Sequence, residues 1–209
     1  MSLPQVIFLP VISWAQYSGP MDEKTVLHDA LKRVRSDLVA KLDGLGEYDV
    51  RRPMTPTGTN LLGLVKHVGI ASLGYLSVVF DRDPGMDVIA MWGPDDETLW
   101  ATPTESRQSI FDLYAHAARV SDDTIAALAL DAPGFVPWWP PDMQHVTLQR
   151  ILVHLIEEVS RHAGHADIVR ELIDGQAGRY PDDPSMTIRT TDQWAAHRSQ
   201  IDQAARDAT

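Results

Sequence analysis

From residue 154 to 165 the chain reads His154-Leu-Ile-Glu157-Glu158-Val-Ser-Arg161-His162-Ala-Gly164-His165, so His154, Glu158 and His162 follow one another at intervals of four. Residues four apart stack on one face of an α-helix. A carboxylate and an imidazole one turn apart can grip the same metal ion, because their side chains converge over a gap suited to bonds of about 2.0–2.2 Å. A third ligand must then come from another element. His67 is the candidate, since helical spacing puts it at the edge of an apolar face with Leu64, Ala71 and Tyr75. Two histidines and one carboxylate with vacant positions is the donor set of catalytic zinc and of several other divalent sites, whereas structural sites are closed. Such a site can lower the pKa of a bound water or thiol, or polarise a carbonyl. His154 and His165 flank the ridge as candidate proton carriers or as partners that orient a ligand. The spacing is not that of an H-E-x-x-H metalloprotease. A histidine at the edge of an apolar face is more often a hydrogen-bonded core residue, so spacing alone leaves both readings open. His28, His116, His145 and His197 read as structural or surface residues.

Four long helical patterns must position these groups. The first runs from about Asp22 to Leu42, with Leu27, Leu31, Val34, Leu38 and Leu42 on one face and Lys32, Arg33, Arg35 and Asp37 largely on the other. The second starts from a cap at Thr57 or Thr59, carries Leu61, Leu64, Val65, Val68, Tyr75 and Val79, and gives out between Asp81 and Gly85. A Pro- and Gly-bearing segment, Asp83 to Pro103, reads as an ordered surface loop in which Asp95, Asp96 and Glu97 start one helical turn. The third helix is expected from Thr104 to Leu130 and the fourth from Val146 to Ile173, with Gly175 as its stop. Between them lies a loop dense in Pro that carries Trp138 and Trp139. The tail from Gln176 is polar and helical again from about Asp192 to Arg206. No stretch alternates with period two for long enough to make a sheet, which predicts an all-α chain and, by default, a helix bundle.

The 209 residues carry 18 Lys plus Arg against 29 Asp plus Glu, a formal net charge of -11. Phosphate contact needs clustered basic residues, so this balance argues against nucleic acid as a partner and against anionic membrane surfaces. No unbroken apolar run approaches the roughly 20 residues that span a bilayer. The N-terminus has neither a basic n-region nor a small-residue cleavage site, so a cytoplasmic location is expected. The chain has no cysteine, which excludes a thiol nucleophile, a Cys-ligated metal and a redox dithiol. Any sulfur chemistry must come from a bound thiol.

The run from His154 to Gly175, with Glu158, His162, Gly164-His165-Ala-Asp167 and Arg170-Glu171-Leu-Ile-Asp174, resembles the last bundle helix of the DinB-like superfamily. Met54-Thr-Pro-Thr-Gly-Thr-Asn60-Leu-Leu-Gly63-Leu-Val-Lys-His67 resembles its second helix, in a branch of uncharacterised function, and Trp138-Trp139-Pro140 matches the same branch. The resemblance spans roughly Asp22 to Gly175. It implies an up-down-down-up four-helix bundle with long loops, flanked by an N-terminal extension over 1–21 and a partly helical C-terminal extension over 176–209. It also implies a divalent metal held by His67, Glu158 and His162, with zinc the first candidate and nickel, iron or manganese the alternatives. Many relatives use three histidines; Glu158 stands where the middle one would be, as in the mycothiol-dependent maleylpyruvate isomerase type. The superfamily includes S-transferases that use mycothiol or bacillithiol, and a homodimer is consistent with it.

The leading expectation is therefore a metal-dependent enzyme in which a low-molecular-weight thiol such as mycothiol, or water, attacks a small electrophilic substrate. Trp92, Trp138, Trp139 and Tyr75 are candidates to wall the pocket, and Arg161 and Arg170 to meet a carboxylate, although pairing with Glu157 or Glu171 is the more ordinary use of both. A metal-dependent hydrolase needing no thiol uses the same ligands, and a non-catalytic metal- or ligand-binding bundle is the third reading.

Overall fold

The computed structural model describes residues 22–93, 97–180, 183 and 185–208. The expected N-terminal extension, and Asp95 and Asp96 of the expected turn, lie outside them. Four long helices dominate: α1 (Glu23–Ala40), α3 (Leu61–Leu76), α5 (Arg107–Ala127) and α6 (Leu148–Asp174). Two short helices, α2 (Glu47–Arg51) and α4 (Val88–Trp92), and the helix α7 (Thr191–Asp207) complete the helical elements named here.

The helix starts follow capping chemistry. Asp22, Asn60, Ser106 and Thr147 each accept a hydrogen bond from a backbone N–H three residues on, satisfying a donor that the first turn would leave orphaned. The second helix therefore begins after Asn60 and not after Thr57 or Thr59. The third begins after Ser106 and ends at Ala127, and the fourth begins after Thr147. The expected stop of α6 is present: Gly175 adopts φ +80°, a left-handed cap that a residue with a Cβ enters at a cost.

The loop before α6 contains a small antiparallel ladder of β1 (Pro133–Phe135) on β2 (His145–Thr147), with Gly134 opposite Val146. Three residues per strand are too few to show a period, which is why the sequence reads there as loop alone. Gly134 is required by close approach, since a Cβ there would lie 2.8 Å from the Phe80 ring.

The core is built by Leu31, Leu38 and Leu42 from the first helix and the turn after it, Leu61, Leu62, Leu64, Val65, Val68 and Leu76 from α3, Ile110 and Ile125 from α5, and Ile151, Leu152, Leu155 and Val159 from α6. α3 is the central element. Each of its residues is buried except His67. Within the stretch Leu61–Phe80 an 18-residue window has a mean hydropathy of 1.5, apolar enough to cross a membrane, but 89% of that window is buried inside the protein, the position of a core helix.

Specific contacts fix how the long helices face one another. His28 and Arg35 of α1 both reach Asp122 of α5, at 2.8 and 2.5 Å, and Tyr114 donates its hydroxyl to the Arg35 carbonyl at 3.0 Å. Arg35 is thus buried, contrary to its expected place on the outer face. Gln149 at the start of α6 meets Glu23, and Arg170 near its end donates to the carbonyls of Lys41 and Asp43, at 2.9 and 2.7 Å. Arg170 thus clamps the end of α1, and it also pairs at 2.7 Å with Asp174 where Glu171 was expected.

Candidate metal centre

His67 leaves α3 at its one incompletely buried position and faces α6. There Glu158 and His162, one turn apart, project toward it. Glu158 Oε1 lies 3.0 Å from His162 Nε2 and 3.5 Å from His67 Nε2, and the two imidazole rings meet edge-on with centroids 4.9 Å apart. One ligand atom from each residue lies within 4.8 Å of the other two, and this is the one such group of three among the described residues. The hydrogen bond from His162, then that from His67, holds the Glu158 carboxyl well below the usual carboxylate range against the opposing effect of burial. Glu158 is therefore anionic at neutral pH.

The neighbours of this group divide into two sets. On the α3 side, His67 Nδ1 is 2.9 Å from the hydroxyl of Thr98, which is only 6% exposed. Thr98 belongs to a single 3-10 turn, Glu97–Leu99. The sequence singled out neither Thr98 nor the contacts that seat it. A hydroxyl sits about thirty positions from His67 with no spacing rule to connect them, and only Glu97 beside it was marked as the start of a turn. The seat is built into α3 and its cap: Asn60 donates its amide to the Leu99 carbonyl at 3.1 Å, and Lys66 donates to the carbonyls of Glu97 and Trp100, both at 3.1 Å. A Cβ on Gly63 would fall 1.8 Å from the Leu99 oxygen, so the turn can lie against α3 only because residue 63 has no side chain.

On the other side, one turn back along α6, His154 packs edge-on against Tyr75 at 4.6 Å and Trp139 at 5.0 Å between ring centroids. The Tyr75 hydroxyl accepts from both indole nitrogens, Trp138 at 3.2 Å and Trp139 at 2.9 Å, and Trp92 leans on Trp138. The four aromatics expected near the site do gather, but around His154. Burial pushes the His154 pKa below the usual imidazole value, partly opposed by Glu158 and Glu157. A surface hollow of about 430 Å³, lined by Trp139, Met143, His145 and Arg150 among others, opens beside this cluster. His165 is exposed, its ring 5.6 Å from that of His162. Arg161 is exposed as well. His28 and His116 are tied to Asp122 and to the Pro84 carbonyl, as structural residues are.

The helical chain thus brings two histidines and a carboxylate together from two adjoining core helices. The model of the mycothiol-S-transferase family matches residues 26–175, and the chain belongs to this DinB-like family. The superfamily resemblance read from the sequence is borne out. No curated protein matches the chain at a significant level. Among solved structures, a conserved protein from Enterococcus faecalis is similar, with a TM-score of 0.53 and 18% identity over 75% of this chain and 100% of that one, which speaks to the fold alone.

Proposed function

We propose that this protein is a metal-dependent S-transferase that uses a low-molecular-weight thiol, mycothiol by the family's description, to attack a small electrophile. The observation that carries the reading is the convergence of His67, Glu158 and His162 from two helices. The donor set fits a divalent ion, zinc first. Bonds of about 2.0–2.2 Å in tetrahedral geometry place ligand atoms about 3.4 Å apart; the two imidazole nitrogens lie 3.0 and 3.5 Å from Glu158 Oε1, and one ligand atom from each of the three residues lies within 4.8 Å of the others. His162 Nδ1 is buried with no hydrogen-bond partner among the described residues, so the contact from Nε2 to Glu158 is the one hydrogen bond there that holds this ring.

The ion, when bound, supplies a Lewis acid that favours the thiolate of a coordinated thiol at neutral pH. The remaining work falls to the chain. Glu158 brings a fixed negative charge that offsets the charge of a dication. His154, whose pKa burial lowers, can take the thiol proton on a ring nitrogen, and the exposed His165 can pass a proton to solvent. Tyr75 and Trp139 cover part of the His154 ring.

We propose the up-down-down-up bundle over 22–175 as the frame of this site, with 1–21 and 176–209 as extensions. Residue order at the contacts supports it. It runs in opposite senses where α1 meets α5 (His28 with Asp122, Arg35 with Tyr114) and where α3 meets α6 (His67 with His162, Tyr75 with His154), and in the same sense where α1 meets α6 (Glu23 with Gln149, Lys41 with Arg170). Exposed Val153, Ile168 and Leu172 on α6 are apolar surface for a homodimer, which light scattering would test.

The catalytic reading is tested with zinc-loaded protein, mycothiol and monochlorobimane as electrophile. Conjugate formation that needs both the metal and the thiol is expected. Conjugation no faster than without protein would reject the transferase, and ester turnover without thiol would point to the hydrolase.

A further inference from the structure

We infer that Thr98 is a positioning residue for the metal ligand His67, anchoring the ring by Nδ1 so that Nε2 is presented to the ion. The inference rests on the metal reading above.

The contact itself is short, 2.9 Å, and largely shielded from water. An imidazole that ligates through one nitrogen commonly donates its other N–H to a fixed partner, which sets both tautomer and ring orientation. Nε2 is the nitrogen on the Glu158 side, 3.5 Å from Oε1, and Nδ1 is the nitrogen on Thr98. A hydroxyl suits this place better than the more common carboxylate or carbonyl. Without metal, His67 can donate Nε2–H to Glu158, and Nδ1 must then accept from the Thr98 O–H. With Nε2 on a metal, Nδ1 carries the proton and must donate to Thr98 Oγ1. A threonine hydroxyl is both donor and acceptor, so one anchor serves both tautomers. It also adds no second negative charge beside Glu158.

The construction of the turn argues that this contact is not incidental. Gly63 and Lys66 of α3 and its cap Asn60 seat the backbone around Thr98, and each acts on the residue just before or just after it or on Trp100. Lys66 is in turn fixed by Glu105 at 2.8 Å. The same helix thus carries the ligand and the device that orients it.

The test uses the full-length metal-free protein titrated with zinc alone, comparing wild type with Thr98→Val, which keeps shape and removes the hydroxyl, and with Thr98→Ser, which restores it. Zinc affinity is expected to fall about 10- to 100-fold in Thr98→Val and to return close to wild type in Thr98→Ser, with helix content unchanged in both. Wild-type affinity in Thr98→Val, or equal weakness in Thr98→Ser, would overturn the inference while leaving the metal site standing. A wild type that binds no zinc would overturn both readings. Should Thr98→Val fail to fold, the wild type still decides: nitrogen-15 spectra of the zinc-loaded protein are expected to show His67 protonated at Nδ1 and metal-bound at Nε2. Metal on Nδ1 would contradict the proposal.

Discussion

Glu158 Oε1 stands 3.5 Å from His67 Nε2 across the seam between α6 and α3, a carboxylate held against an imidazole from a helix that is otherwise wholly buried. Because the same oxygen is 3.0 Å from His162 Nε2, one acidic group ties two helices and two histidines together.

This arrangement has a pH signature. The Glu158 carboxyl is depressed in the folded protein, so it contributes stability that is fully present above its unfolded value, near 4.5, and is lost as pH falls below that toward its folded value. In metal-free protein, the melting temperature of Glu158→Gln should fall less steeply than wild type as pH drops below about 4.5. Parallel acid limbs in the two proteins would show that Glu158 does not bond the histidines in solution.

Two glycines on the site-bearing helices should respond in opposite directions to alanine. At Gly63 the added Cβ meets the Leu99 carbonyl oxygen at 1.8 Å, so the Glu97–Leu99 turn must move and stability should fall by about 1–3 kcal/mol. At Gly164, exposed on α6, the Cβ meets nothing within 4 Å, and stability should rise by about 0.5–1 kcal/mol. Urea unfolding of each variant measures both. A neutral Gly63→Ala would mean that the turn does not pack on α3 as described.

Tyr75→Phe keeps the ring that packs on His154 and removes the oxygen that both indoles donate to. Since Trp138 is partly exposed and can turn to water, the cost should be about 1 kcal/mol, close to that of one hydrogen bond. Tryptophan fluorescence should change with it. No change in either would place the indole nitrogens on other acceptors.

Much of the site was legible because it lies along one helix. His154, Glu158 and His162 stack by period alone, and the all-α expectation followed from four apolar stripes. His67 was found from its place on an apolar edge, and the structure shows why that edge is informative: it is the one opening in a buried helix. Thr98 and Lys66 were not legible as a pair, since their meeting depends on a loop folding back onto α3. Arg35 and Arg170 were misplaced for a related reason. Periodicity assigns a face, but it does not reveal that a buried guanidinium has carbonyls and Asp122 or Asp174 waiting for it. The strands at Pro133–Phe135 and His145–Thr147 are held by pairing across a loop, and three residues carry no period to read.

The central claim is that α3 and α6 share one metal ion. It is tested most directly by elemental analysis of untagged wild type, His67→Ala and His162→Ala after equilibration with zinc and removal of free metal. Near-stoichiometric zinc is expected in the wild type and its loss in both variants, with helix content retained because the core does not depend on the metal. Full occupancy in either variant, or none in the wild type, would contradict it.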